Sequence, residues 1–158
     1  MEDCSYRFAT VDDFDRIMKG RLEILFIEEK EKSFITSKIV KDETEKILIG
    51  IENNSIIVTE IINTVVGFIW FNISQKCFYG VDYCNVPNPY AFVSYIWVDE
   101  KYRARNIGST LYENLIEHLK KNNITKIYLD IFLNNPSSIN FHTKLGFEPL
   151  LSIYSKDI

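Results

Sequence analysis

A mixed α/β fold around one core is what the sequence predicts, on three observations. Short runs rich in Ile, Val and Phe alternate with longer stretches whose apolar residues recur every three or four positions. Two of the strand-like runs, Ser55 to Ile62 and Val65 to Ile73, are separated only by Asn63 and Thr64, which predicts an antiparallel hairpin. A third run, from Ala91, passes through a turn carrying Arg103 and Arg105 into a helix opening at Gly108 and then a further strand, the order of a crossover.

Taken in order, Tyr6 to Ala9 reads as a short strand, and Thr10 with Asp12 and Asp13 supplies helix-start chemistry for a segment reaching about Glu28. Ile17, Leu22, Leu25 and Phe26 give that helix an apolar side. After a charged break at Glu29 to Lys32, a second helix spans about Thr36 to Gly50, with Ile39, Val40, Ile47 and Leu48 as its stripe. The hairpin follows. Residues 74–90 change character: Gly80, Pro87 and Pro89 break regular structure among several aromatics, so this loop either lids a substrate or covers the sheet edge. In the later helix Ile107, Leu111, Leu115, Ile116 and Leu119 form the apolar face, Glu117 precedes Lys121 by four residues, and Asn122 and Asn123 end it. Lys126 to Leu133 reads as a strand, Ser137 to Leu145 as a short helix stopped by Gly146, and Phe147 to Ile158 as one or two strands.

Composition narrows the functional classes. A chain of 158 residues is one domain by length, here residues 1–158, and 46% hydrophobic with 25% charged residues is the balance of an ordinary globular protein. No apolar run approaches the roughly 20 residues of a membrane span, and MEDCSYRF lacks the features of a secretion signal, so a cytoplasmic location with no membrane partner is expected. Cys4, Cys77 and Cys84 fit no zinc or redox spacing, neither histidine sits in a metal pattern, and no metal is expected. A net charge of −4 argues against a nucleic-acid partner and mildly suits a cationic or neutral substrate.

The junction between strand and helix at residues 98–109 carries the chemistry. A helix N-terminus favours anions, yet this one is approached by Lys101, Arg103 and Arg105, an arrangement unfavourable when empty and favourable around a phosphate-bearing ligand. The pattern Gly-x-x-x-x-Gly-Lys-Ser/Thr is absent, which disfavours a general nucleotide-phosphate binder.

Two motifs then resemble the GNAT superfamily of N-acetyltransferases. Arg103-Ala104-Arg105-Asn106-Ile107-Gly108 is similar to that family's acyl-CoA loop, and Asn135 to Phe147 is similar to its late helix, Asn-x-x-Ala-x-x-x-Tyr-x-x-x-Gly-Phe. The resemblance implies a mixed, mostly antiparallel central sheet with splayed strands and helices on both faces. It also implies acetyl-CoA as co-substrate, a small-molecule or peptide amine as acceptor, and a homodimer. By the same resemblance, the backbone of Arg103, Ala104, Arg105, Asn106, Ile107, Gly108 and Ser109 would hold the pyrophosphate. Ile96, Trp97 and Val98 would pair with the pantetheine arm, and Asn135 and Ser138 would line its other side.

Two departures bear on activity. Asn106 stands where the family usually has Gly, and Asn is the residue that tolerates positive φ best after Gly, although its side chain could also cap the helix. His142 occupies the place of the tyrosine that commonly protonates the departing thiolate. With an unperturbed pKa of about 6.5 it would be roughly a quarter protonated at pH 7, fit to act as an acid or to accept a proton; the alternatives are a packed structural histidine or a site left inactive. Asp130 aligns with an acidic residue that serves as base in some members, or is a solvated residue on the sheet, and Asp82 or a water held by Ser94 or Tyr95 compete with it. A covalent route through Cys77 or Cys84 lacks a recognisable partner. Direct transfer to an amine, with an N–H near Val98 stabilising the oxyanion, is the expected mechanism, and a catalytically weak CoA-binding or sensing module is the alternative.

Overall fold

The computed structural model of the protein describes residues 4–29, 35–75, 89–150 and 156. Among these residues five strands form one sheet in chain order: β1 (Cys4–Phe8), β2 (Ile56–Ile61), β3 (Thr64–Ser74), β4 (Tyr90–Val98) and β5 (Ile127–Leu129). The first four are antiparallel and β5 runs parallel to β4, so the sheet is mixed and mostly antiparallel, as expected. Helices α1 (Phe14–Glu29) and α2 (Ser37–Glu52) cover one face; α3 (Ile107–Lys121) covers the other, with α4 (Pro136–Lys144) contributing Phe141 beside it.

Side-chain alternation along the strands fills both faces. Ile57, Val66, Ile69, Phe71, Ala91 and Val93 pack with Leu111, Leu115 and Leu119 of α3, while Ile56, Val58, Phe68, Trp70 and Trp97 pack with Ile17 of α1 and Ile47 of α2. The alternation changes phase once within β4. Phe71 pairs with Val93 but Trp70 pairs with Tyr95, leaving Ser94 as an extra residue. Before this bulge the odd-numbered Ala91 and Val93 face α3; after it the even-numbered Ile96 and Val98 do.

The helix faces differ from the predicted stripes. On α2, Val40 and Leu48 are exposed, and the buried line is Glu43, Ile47 and Gly50. On α1, Phe26 is exposed and Arg21 is among the most deeply buried side chains of the described residues. The two charges explain each other: Arg21 Nε donates to Glu43 Oε2 at 2.8 Å, and the Arg21 guanidinium carbon lies 3.4 Å from the centre of the Tyr95 ring. Burial alone would push the Glu43 carboxyl up, but hydrogen bonds from Arg21 and Lys46 outweigh it and hold the pKa below its ordinary value. Each charge occupies a position that a hydrophobic count assigns to solvent. On α3 the predicted stripe holds, except that Ile116 is exposed and Tyr112 is buried in the stripe.

Other boundaries also moved. The strand expected to reach Leu133 stops at Leu129, because β4 leaves it after Val93 and no other described strand offers partners. Residues 147–150 carry no regular structure, and most of the remaining C-terminal strand prediction lies outside the described residues. So do the lid-or-cover question for the 74–90 loop, apart from its ends, and Cys77, Asp82 and Cys84.

The hairpin turn is Ile62-Asn63, not Asn63-Thr64: Ile61 pairs with Thr64, and both turn residues have positive φ, 48° and 56°. That is the backbone of a two-residue hairpin turn, which suits Asn and opposes a β-branched side chain. Because Ile62 is 80% exposed, its side chain contributes little packing there. Ile62→Gly should therefore stabilise the fold by about 0.5 to 1 kcal/mol, read as a higher urea midpoint at unchanged slope.

Candidate active site

The site begins where β4 and β5 part. Their pairing covers only Ala91, Phe92 and Val93 against Ile127, Tyr128 and Leu129, whereas β4 stays paired with β3 through Val98. From Ser94 to Val98 the outer edge of β4 therefore has no strand neighbour among the described residues. The Asp99 N–H donates to Val66 O of β3 at 2.8 Å. By alternation the N–H of Trp97 faces β3 as well, and those of Ile96 and Val98 face the opening. A second contact agrees with this, since the Val98 carbonyl accepts Arg103 Nε at 3.0 Å.

At the end of β4, Asp99 is buried and receives Lys19 at 2.9 Å and Arg16 at 3.0 Å, both from α1. Lys19 foremost, with help from the Lys101 N–H and Arg16, pulls its pKa down to about 2 against the opposing effect of burial. Beyond it a 3-10 turn (Glu100–Tyr102) leads to the mouth of α3. Ala104 (φ 60°) and Asn106 (φ 62°) are both left-handed, so the requirement for positive φ inferred at Asn106 is met. The Asn106 side chain makes no capping hydrogen bond, and the first turn contains no acidic residue. The first N–H groups of α3, at Ile107, Gly108 and Ser109, thus lie at a helix start without a carboxylate or a side-chain cap from Asn106. Arg105 lies 5.3 Å over the Tyr102 ring, and Arg103, Arg105 and Lys101 are all exposed.

Gly108 is needed for closeness, not for φ. A Cβ there would stand 3.0 Å from Phe141 Cζ, so α4 rests directly on the first turn of α3. At the start of α4, Asn135 Oδ1 accepts the Ser138 N–H at 3.1 Å, which caps the helix. His142 sits one turn further, 4% exposed. Its Nδ1 lies 2.8 Å from the Ser138 carbonyl, which can only accept, so Nδ1 carries the proton and Nε2 accepts a hydrogen bond from the Tyr112 hydroxyl at 2.8 Å. Ser138 Oγ lies 3.2 Å from the same Nδ1. Burial lowers the His142 pKa, only partly opposed by the Ser138 bond, and burial raises the Tyr112 pKa far above its ordinary value. Asp130, the first residue after β5, is exposed and follows Leu129, which packs toward α3.

Ile96 to Val98 therefore occupy the end of β4, Arg103 to Ser109 the loop and start of α3, Asn135 and Ser138 the start of α4 and His142 its last turn, beside Phe141 that meets Gly108, with Asp130 just after β5. Sequence reading overlooked Tyr112, although a tyrosine continuing the stripe of Ile107, Leu111 and Leu115 needs a polar partner once buried. No cluster of His, Cys, Asp or Glu able to hold a metal is found among the described residues, and none of the described helices is long and apolar enough to cross a membrane.

This architecture is that of an acetyltransferase family, and the sequence says which: residues 21–147 match the Acetyltransferase (GNAT) family, and the chain belongs to it. Among solved structures of similar fold are a tetramutant of the BH1408 protein from Bacillus halodurans (TM-score 0.78, 16% identity, 98% of this chain and 99% of that one). A GCN5-related N-acetyltransferase from Ralstonia eutropha JMP134 is also similar (TM-score 0.76, 16% identity, 99% of each chain). So is the aminoglycoside N-acetyltransferase AAC(6')-Iy in complex with CoA (TM-score 0.74, 14% identity, 99% of this chain and 95% of that one). Among curated proteins no sequence matches.

Two outcomes follow from this geometry. In Gly108→Val the Phe141 ring must move, which should cost about 1 to 3 kcal/mol in equilibrium unfolding. For His142 the lowered pKa means that the unfolded chain binds the proton more readily over the window below about pH 6.5. Its contribution is complete above that window and is lost as the pH falls through it, by at most about 1.4 kcal/mol per pH unit. Unfolding free energies measured between about pH 7 and pH 5 should show this slope in the native chain and a flatter one in His142→Phe.

Proposed function

We propose that the protein moves an acetyl group from acetyl-CoA to a primary amine by direct attack in a ternary complex. One observation carries the reading: the open edge of β4, with the N–H groups of Ile96 and Val98 facing outward, is joined through one 3-10 turn to a helix mouth that has no first-turn acid and has Arg103 and Arg105 beside it. An extended amide-containing arm matches the first feature and a pyrophosphate the second. Arg103, Ala104, Arg105, Asn106, Ile107, Gly108 and Ser109 hold the phosphates in this reading, Ile96, Trp97 and Val98 pair with the arm, and Asn135 and Ser138 line its far side. Membership of the family and the CoA bound to AAC(6')-Iy support the choice of co-substrate.

The chain's own groups then divide the work. The Val98 N–H, aimed at the opening, stabilises negative charge developing on the thioester oxygen. Asp130, exposed at the end of β5, takes the ammonium proton. His142 supplies the sulfur's proton only as imidazolium, because its neutral form has already committed Nδ1–H to Ser138, and replacing that proton from Tyr112 would leave a buried tyrosinate. Burial makes the imidazolium scarcer at pH 7 than the quarter expected of a free histidine.

That commitment of both ring nitrogens favours a second reading, a CoA-binding module of the same fold with weak catalysis. Incubation with acetyl-CoA and a panel of primary amines, following free thiol, separates the two. Amine-dependent thiol release that falls about tenfold or more in His142→Ala, with CoA binding retained, supports transfer with His142 as acid. CoA binding without thiol release across the panel supports the module, and full turnover in His142→Ala removes the histidine from the mechanism.

A further inference from the structure

The bulge at Ser94 does more than turn the strand. Val93 and Leu129 form the last pair between β4 and β5, so Ser94 and Asp130 are the first residues on the two sides of the split. On β3, Asn72, which pairs with Phe92, reaches diagonally to Ser94, its Nδ2 donating to Ser94 Oγ at 3.0 Å. Phe71 faces α3 and Trp70 faces α1 and α2, so Asn72 lies on the α1/α2 face, and its hydrogen bond brings Ser94 Oγ to that face. Neither helix covers the pair, since Asn72 is exposed and Ser94 half-buried.

An exposed asparagine in a strand whose other α1/α2-face residues include Phe68 and Trp70 is out of keeping with the pattern. One of its two amide N–H donors is spent on Ser94, which turns the acceptor oxygen Oδ1 away from that bond and toward another group. With the Asp130 carboxylate across the split, the apex offers acceptor atoms from two strands and, among the described residues named there, no cation. That is the chemistry of a site for a protonated primary amine, whose three N–H donors need acceptors and whose charge suits a carboxylate.

We infer that Asn72 and Asp130 bind the acceptor's ammonium group at the apex of the split, and that Ser94 is a positioning residue that fixes the Asn72 carboxamide. This rests on the acetyl-transfer reading for its place beside the thioester, and it goes further by assigning acceptor recognition to Asn72, a residue on β3 outside both sequence motifs. The class of ligand is an unhindered aliphatic primary ammonium; a quaternary ammonium, which donates nothing, is rejected.

The test is a titration of the CoA-saturated protein with n-butylammonium chloride, following the Asn72 side-chain amide by nitrogen-15 NMR, with butyltrimethylammonium and n-butanol as comparisons. A saturable shift with n-butylammonium alone is expected, with the apparent Kd raised at least about fivefold in Asn72→Ala, less in Ser94→Ala, and largely restored in Asn72→Asp. No shift, or the same shift with butanol, overturns the assignment. Steady-state kinetics give the complementary readout: Asn72→Ala should raise the amine KM while leaving the acetyl-CoA KM unchanged. Amine-dependent thiol release without the resonance shift sinks this inference and leaves acetyl transfer standing; the shift without thiol release does the reverse.

Discussion

One extra residue in β4 is the constraint on which the rest of the site depends. Without the bulge, with Ser94 paired regularly in the ladder, the alternation that sets Ala91 and Val93 against α3 would carry Tyr95 and Trp97 to that face as well. The N–H groups of Ile96 and Val98 would then be spent on β3. With it, Trp97 reaches the α1 side, where its indole N–H donates to Glu23 at 2.7 Å, and two backbone donors are released toward the split. The bulge also coincides with the end of the β5 ladder, so reversed phase and loss of a neighbour fall at the same place.

A second constraint lies beneath that strand. Arg21 and Glu43 form an ion pair between α1 and α2 with Arg21 against Tyr95, and Arg21 Nη1 is buried without a hydrogen-bond partner. Ion pairs of this kind contribute little net stability against an apolar substitute, but removing one partner strands the other charge. The pair therefore fixes how the two helices sit over β4 more than it adds to the free energy of folding. Asp99 does comparable work at the strand's end, tying α1 to the turn that leads into α3.

How much of this could be read from residues alone depended on whether the signal was local. The hairpin, the crossover helix and the short α4 were legible because Asn63, Asn122, Pro136 and Gly146 punctuate apolar runs of the right period. The mouth of α3 was legible because cations beside a helix start contradict the dipole, and the requirement for positive φ at Asn106 followed from its place in the loop. The faces of α1 and α2 were misread because Arg21 and Glu43, more than twenty residues apart, make each other's burial tolerable, and a stripe of apolar residues cannot register that. The length of β5 was misread for a similar reason: Lys126 to Leu133 has strand composition throughout, but a strand ends where its neighbour leaves it. The bulge has no composition signal at all. His142 was legible as a substitution but not as an engaged imidazole, because Tyr112 lies thirty residues away on another helix.

The bond from Arg103 to the Val98 carbonyl joins two regions that are usually treated separately. A guanidinium that touches the strand with one nitrogen keeps its remaining donors for whatever comes to the helix start, so any ligand drawing on them also pulls on the peptide that links Val98 to Asp99. In the proposed reading, grip at the far end of a long cofactor and the aim of the amide beside its reactive end are mechanically one adjustment. Selection acting on either would be felt at both, and an arginine in this position is less a point of attachment than a lever.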